Sequence, residues 1–352
     1  MRLDPPYPPM EAELVDEIPE GPGWQYEPKW DGFRCLAFCA GQAVYLQSKA
    51  EKPLARYFPE LVAAFEALEA ERFVLDGEIV IPVAGRLDFD ELLLRIHPAE
   101  SRIRKLAAER PALFIAFDLV ADEHGENLAA LPLRERRFLL ERFAARYFSS
   151  QSAIRLSPAT SRIAQARRWL AKTGGALDGV VAKRLDLPYR SGDRSGMQKI
   201  KKKRTADCVV GGFRHGLRGK LVGSLLLGLY DEAGLLHHVG FTSGIRERDK
   251  PALTRRLQTL IAPPGFTGRA PGGPSRWSTE RSGEWQPLQP VLVVEVEYDH
   301  FTAGRFRHGT RFLRWRPDKA AAQCTLDQAQ RRHGPDLALL STARTGAAAR
   351  MR

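Results

Sequence analysis

The chain changes character at one basic run, Lys199-Ile-Lys-Lys-Lys-Arg204. Before it, short apolar, β-prone segments at 34–39, 43–48, 73–80, 113–120 and 180–182 are interspersed with helical apolar spacing at 57–71 and 133–147. They do not alternate as strand, helix, strand, so the first part reads as an α+β domain rich in antiparallel sheet and not as a doubly wound parallel sheet. After the run, strand-like segments at 208–213, 224–231, 235–241 and 292–298 are separated by glycine-rich turns, with a helix inserted at 250–261 and a long polar loop at 263–284. That pattern predicts a small all-β barrel. The domains are therefore expected at 1–205 and 206–325, with 326–352 a partly disordered tail, and 352 residues suit two domains. Residues 1–23, rich in Pro and Gly, read as an extended leader with little structure of its own.

Several classes fall away. No apolar run approaches the ~18 residues of a membrane-spanning helix, and the first residues lack the basic and apolar segments of a secretion signal. A cytoplasmic protein without membrane association is expected. Four cysteines, Cys35, Cys39, Cys208 and Cys324, form neither a C-x-x-C pair nor a metal-ligand spacing, which predicts reduced, buried thiols. Neither a P-loop nor a G-x-G-x-x-G fingerprint is present. The 54 Lys and Arg exceed the 42 Asp and Glu by 12, so a polyanionic partner is expected, although charge alone does not say which.

The chemistry-bearing segments come in a fixed order: Glu27-Pro-Lys29-Trp-Asp31-Gly32-Phe-Arg34, Ser48-Lys49, Asp76-Gly-Glu78-Ile, Phe117-Asp-Leu, Asp178-Gly-Val-Val181-Ala-Lys183, Lys199-Ile-Lys201, and Arg316-Pro-Asp318-Lys319. Lys199 and Lys201 alternate along a strand, so both amines project to one face. If that face lines a pocket holding Lys29, they would depress the pKa of Lys29, and a lysine must lose its proton before it can attack phosphorus. Carboxylates such as Glu78 and Asp178 suit a hard divalent cation that bridges phosphate oxygens. The stretch 301–319 carries six cations against one acid, with Phe301, Phe306, Phe312 and Trp315 interleaved. That composition suits a surface tracking nucleic acid; the alternative is a strand pair whose aromatics pack inward.

The ordered set resembles the covalent nucleotidyltransferases, and most closely the ATP-dependent DNA ligases of the small stand-alone bacterial type. The resemblance runs from Glu27 to Lys319 and implies an α+β nucleotidyltransferase (adenylation) domain with antiparallel sheets followed by an all-β OB-fold domain. It implies Lys29 as the residue that takes AMP from ATP, and Lys199 and Lys201 as cations on the α-phosphate. Arg316, Asp318 and Lys319 would orient the leaving phosphates, with a hinge near 204–207. It places Asp31, Gly32 and Arg34 in the nucleotide site, with Arg34 on the ribose or terminal phosphates. Base recognition falls near the main chain of Glu27, with Phe117 stacked on the adenine and Val181 covering its other face. Glu78 and Asp178 would serve Mg²⁺ or Mn²⁺, Glu78 also the ribose. Two positions depart from the family pattern. Asp178 stands where Glu is usual, and Ser48-Lys49 where Ser-Arg is usual; Lys lacks the bidentate fork of Arg, and Arg56 is the expected substitute.

The implied function is sealing of 5′-phosphate/3′-hydroxyl breaks in nicked or broken duplex DNA, in repair or recombination, by a monomer recruited by repair proteins. RNA ligases and capping-type guanylyltransferases share the covalent chemistry and form one alternative; a non-catalytic OB-fold nucleic-acid binder forms another.

Overall fold

The computed structural model describes residues 3–149, 152–171, 177–216, 219–272, 284–302, 304–307, 309–329 and 338–341. The chain divides into two compact units, Met1–Lys202 with Arg332–Arg352, and Lys203–Arg331.

The first unit holds eleven described strands: β1 Glu13–Val15, β2 Trp24–Trp30, β3 Phe33–Ala40, β4 Ala43–Ser48, β5 Arg72–Val80, β6 Pro82–Val83, β7 Arg86–Leu87, β8 Leu113–Ala121, β9 Ile154–Leu156, β10 Leu177–Arg184 and β11 Met197–Ile200. Its helices are α1 Pro59–Glu66, α2 Phe89–Arg95, α3 Glu100–Glu109, α4 Leu133–Tyr147 and α5 Ile163–Ala171. Two larger sheets result, β1-β11-β10-β2 and β4-β3-β5-β8-β9, and β6 and β7 form a separate two-stranded pair.

In the first sheet Tyr26, Trp30, Val180, Ala182 and Ile200 are buried with Ala166 and Trp169 of α5. Side chains alternate along a strand, so positions 27, 29, 181, 183 and 199 share the other face. The register sets Glu27 opposite Val181, Lys29 opposite Gly179 and Val181 opposite Lys199. In the second sheet Cys35, Ala37, Leu75, Ile79 and Phe114 bury one face against residues of α1, α2 and α4. Its other face pairs Arg34 with Glu78 and Leu36 with Asp76 across β3 and β5. Between β5 and β8, Asp76 faces Asp118 and Gly77 faces Ala116. Phe117 is thus the extra residue of a β-bulge, a device that re-aims side chains beside functional sites.

Several elements differ from the sequence expectation. The helix expected at 57–71 is shorter, because Pro59 takes the first turn, where its missing N–H costs nothing. α3 presents only Ile103 and Ala107 to the core, too narrow an apolar stripe to stand out by spacing. The leader is extended but docked. Its β1 pairs in parallel with β11, and Met10 is buried with Leu36, Phe38, Tyr189 and Met197. All four cysteines are free and buried. Of the predicted tail, Ala338–Ser341 forms a short helix α7; 330–337 and 342–352 lie outside the described residues, as does 273–283 of the polar loop.

The second unit contains β12 Arg204–His215, β13 Val222–Tyr230, β14 Leu236–Thr242, β15 Gln286–Pro287, β16 Val293–Tyr298, β17 Phe301–Thr302, β18 Arg305–Phe306 and β19 Arg311–Trp315, with the helix α6 Lys250–Gln258 after β14. The main sheet runs β14-β13-β12-β16-β19. Its two edges meet where Thr242 bridges Thr310, with the Thr242 hydroxyl donating to the Thr310 carbonyl at 3.0 Å. A sheet closed on itself has no exposed edge to manage. The expected α+β unit followed by a β-barrel is the architecture observed.

Inside the barrel His238 is buried, and neither ring nitrogen has a hydrogen-bond partner among the described residues. Burial, reinforced by Arg305, Arg214 and Arg269, pushes its pKa down to about 3. The unfolded chain therefore binds a proton near pH 6.5 that the folded chain refuses until about pH 3, and stability falls as the pH drops through that window. His238→Leu should lose about 2 kcal/mol less stability than the wild type between about pH 6.5 and 4.5. Parallel losses in urea denaturation at the two pH values would contradict this.

Candidate active site

Lys29 sits near the end of β2 on the face turned away from that sheet's core. Its Nζ lies 2.5 Å from Asp178 Oδ2, and Lys201 Nζ reaches the same oxygen at 3.1 Å. Gly179 permits this convergence. With φ at +152°, a Cβ there would stand 1.9 Å from the Ile200 carbonyl oxygen and 3.2 Å from Lys201 Cα, so any side chain would push β10 away from the chain that carries Lys201. Gly32 has a comparable role in the turn after Lys29: a Cβ would lie 2.2 Å from the Ile79 carbonyl oxygen and 2.9 Å from Glu78 Cγ. Close packing of the turn against β5 explains that glycine.

The electrostatics reverse one expectation. Burial works to lower the Lys29 pKa, but Asp178, Glu78 and Asp31 outweigh it and the net direction is upward. Lys29 is thus a held ammonium and not an amine released by its lysine neighbours. The lysine that is lowered is Lys199, first by burial and then by Lys29, Lys49, Lys201 and Arg194. Burial pushes the Glu78 carboxyl up to about 7 against the pull of Lys29 and Arg34. A divalent cation taking oxygen ligands fits this donor set, since it would neutralise Asp178 and Glu78, two of the three acids that raise the Lys29 pKa. No group of three or more His, Cys, Asp or Glu side chains that could hold a metal ion occurs among the described residues. Most of a cation's ligands would therefore come from phosphate and water.

Beside Lys29 stands a wall of buried charge. Arg34 Nε and Nη2 each lie 2.5 Å from an oxygen of Asp76, whose Oδ2 also accepts from the Tyr189 hydroxyl at 2.7 Å. The Arg34 guanidinium lies 4.5 Å from the Phe117 ring centroid. Lys183, without an expected role, is central to this wall. Its ammonium is 2.9 Å from Glu27 Oε2, 3.3 Å from the Phe117 carbonyl oxygen and 4.7 Å from the Phe117 ring centroid. The other oxygen of Glu27 accepts from Gln25 at 2.8 Å. Strand parity was the available signal, because Lys183 is two residues beyond Val181. Phe117 is fixed further by Asp118, which Arg136 holds bidentately at 2.9 and 3.0 Å. Arg34, Asp76, Phe117, Lys183, Met197 and Tyr189 all line one cavity.

The Ser48-Lys49 pair and its expected substitute Arg56 take other partners. The Ser48 hydroxyl accepts from the Lys52 N–H at 2.9 Å and so shapes its own turn. Arg56 does not join Lys49; it donates to the Pro98 carbonyl. Lys49 instead meets Glu11 of the leader at 3.3 Å, and the same carboxylate oxygen is held by Arg194 Nε and Nη2, each at 3.1 Å.

Arg316, Asp318 and Lys319 belong to the second unit. Arg316 forks onto Asp207 at 2.8 and 3.1 Å and onto Asp318, and Lys319 lies 3.7 Å from Asp207. The interleaved aromatics divide. Phe301 and Phe306 are buried in the barrel core, with Phe312 and Trp315 packed against it, so the inward-packing alternative holds for the rings. Arg311 and Arg314 keep their heads exposed while pairing across the sheet with Glu297 and Glu295.

The family model "ATP dependent DNA ligase domain" matches residues 9–201, and "ATP dependent DNA ligase C terminal region" matches 218–319. The chain is 46% identical over 340 residues to DNA ligase C2 of Mycolicibacterium smegmatis, covering 92% of this chain and 94% of that one. It is 43% identical over 342 residues to DNA ligase C of Mycobacterium tuberculosis, covering 93% and 94%. The multifunctional non-homologous end joining DNA repair protein LigD of M. tuberculosis is 32% identical over 304 residues, which span 85% of this chain and 37% of that protein. A solved Lig E DNA ligase shares the fold, with a TM-score of 0.54 at 17% identity over 87% of this chain and 99% of that one. From the ordered motifs through the two-unit fold to these relatives, the chain belongs to the ATP-dependent DNA ligases.

Proposed function

We propose that the protein seals 5′-phosphate/3′-hydroxyl breaks in duplex DNA, in repair, through a lysyl-AMP intermediate on Lys29. The Lys29 ammonium first gives up a proton to solvent; Nζ then attacks the α-phosphorus of ATP, the N–P bond forms, the bond to pyrophosphate breaks, and a second Nζ proton passes to solvent. The AMP then passes to the 5′-phosphate of the break, which frees Lys29 and leaves a 5′-5′ pyrophosphate linkage. Attack by the 3′-hydroxyl on that phosphate closes the strand and expels AMP. The observation that carries this reading is the meeting of Lys29 and Lys201 on one oxygen of Asp178, since a phosphate arriving there meets the lysine that would attack it and a phosphate-binding cation side by side.

Lys199 and Lys201 suit the α-phosphate oxygens, where charge builds as the P–N bond forms. Glu27 and Lys183 set an acceptor beside a donor on the wall that carries Phe117, a pairing suited to the amino and ring-nitrogen edge of adenine. Arg34 and Asp76 are polar partners suited to ribose hydroxyls. Glu78 and Asp178 would hold Mg²⁺ or Mn²⁺. Such a cation, when bound, withdraws charge from the phosphates and frees Lys29 from its carboxylates. Arg316 and Lys319, braced on Asp207, are cations the second unit offers to phosphate. The similarity to a protein named for end joining supports assignment to repair.

Nick sealing with ATP tests this reading, and its salt dependence separates two sets of cations. If about five backbone phosphates are contacted, raising salt from about 50 to 200 mM should weaken nick binding by roughly 10²–10³ through counterion release. Enzyme adenylation by ATP should change by less than about threefold over the same range. Equal losses in both would contradict the division.

A further inference from the structure

Glu11 of the leader meets two cations beside the candidate site, Lys49 and Arg194. Its Oε2 takes both the Nε and Nη2 of Arg194 at 3.1 Å and stands 3.3 Å from Lys49 Nζ. These two cations also act on Lys199, so they are continuous with the lysines proposed for the triphosphate. The Glu11 main-chain N–H is tied to the Asp193 carbonyl at 2.8 Å, which fixes the leader where its side chain meets Arg194. One carboxylate oxygen gripped by a guanidinium edge and an ammonium is the arrangement a phosphate oxygen would take. Arg194 thereby supplies the fork that Lys49 lacks.

We propose that the Glu11 carboxylate is an internal occupant of a phosphate subsite formed by Lys49 and Arg194, displaced by the terminal phosphomonoester of a DNA break. The contacts favour an exchangeable occupant. Lys49 and Arg194 are 57% and 70% exposed, and exposed ion pairs contribute little. A terminal phosphate carries up to two charges and three acceptor oxygens, whereas a backbone diester carries one charge, no more than the carboxylate it must replace. Glu11 thus makes the subsite selective for a chain end over continuous backbone. The proposal rests on the ligase reading and concerns only how that substrate is admitted.

The test uses the full-length protein in EDTA, which prevents sealing, with duplexes carrying a nick that ends in 5′-phosphate or 5′-hydroxyl. Glu11→Gln should bind the 5′-phosphate nick about twofold to fivefold more tightly than wild type, the factor a displaced exposed ion pair allows. Its affinity for the 5′-hydroxyl nick should not change, and adding Arg194→Gln should erase the gain. Equal tightening on both nicks would reduce Glu11 to general charge. Weaker or unchanged binding of the 5′-phosphate nick would make it a strut for the leader. Either result overturns the proposal. A wild-type protein that does not distinguish the two nicks would instead count against the ligase reading itself.

Discussion

Lys29→Ala should abolish enzyme adenylation, lowering the yield of labelled protein from α-labelled ATP by more than about 10⁴-fold, the scale on which loss of a covalent nucleophile acts. The alanine variant also strips Asp178 of its closest cation, at 2.5 Å, so a loss could reflect a disturbed pocket. Lys29→Arg separates the two effects. A guanidinium keeps the positive charge beside Asp178 and Glu78, yet it does not deprotonate in proteins and cannot act as the nucleophile. Both variants should fail to take AMP, while Lys29→Arg unfolds at the wild-type temperature. Supplied with a nick already carrying 5′-AMP, both should still seal it, because closure by the 3′-hydroxyl does not require an amine at position 29. A labelled Lys29→Arg protein would refute the assignment of the nucleophile.

Arg136→Ala should be the most destabilising single change in the first unit. Arg136 and Asp118 are both buried, and the guanidinium also donates to the carbonyls of Leu131 at 2.6 Å and Leu187 at 3.3 Å. Burial alone would raise the Asp118 pKa, but Arg136, with help from Lys183, holds it below the usual value. Removing the arginine leaves a carboxylate without its partner in a dry site, a change that costs about 3–5 kcal/mol. For a unit of this size that corresponds to a fall in Tm of roughly 10 °C. Replacing both partners, Arg136→Met with Asp118→Leu, removes the stranded charge and should recover most of the loss. The recovered protein should still need more ATP for half-maximal adenylation, since Asp118 follows Phe117 in the bulge. A single variant as stable as wild type would show that the pair contributes nothing.

These two sites mark what the chain discloses before folding. Lys199 and Lys201 could be paired in advance because strand alternation is local information, whereas Lys29 joined them only through the ordered motifs that resemble the family; the register joining β2, β10 and β11 then sets Lys29 and Lys199 on one face. The α+β and β-barrel halves were legible for the same reason: apolar periodicity and turn residues are local. The sign of the Lys29 shift was not legible. It depends on Asp178, Glu78 and Asp31 converging from different strands and turns, where burial magnifies each charge. Lys183 was within reach through parity with Val181, but its partner Glu27 appears only across the β2/β10 pair. Asp118 with Arg136, and Glu11 with Arg194, join residues 18 and 183 positions apart, and no periodicity links such pairs.

In the proposed reaction AMP travels on Lys29. Mass analysis of proteolytic fragments from the protein after incubation with ATP and Mg²⁺, followed by a chase with nicked DNA, tests it most directly. An AMP-sized increment is expected on the fragment containing Lys29, lost during the chase as the sealed strand appears. An increment on a different residue, or sealing that proceeds while the Lys29 fragment stays unmodified in rapidly quenched samples, would contradict it.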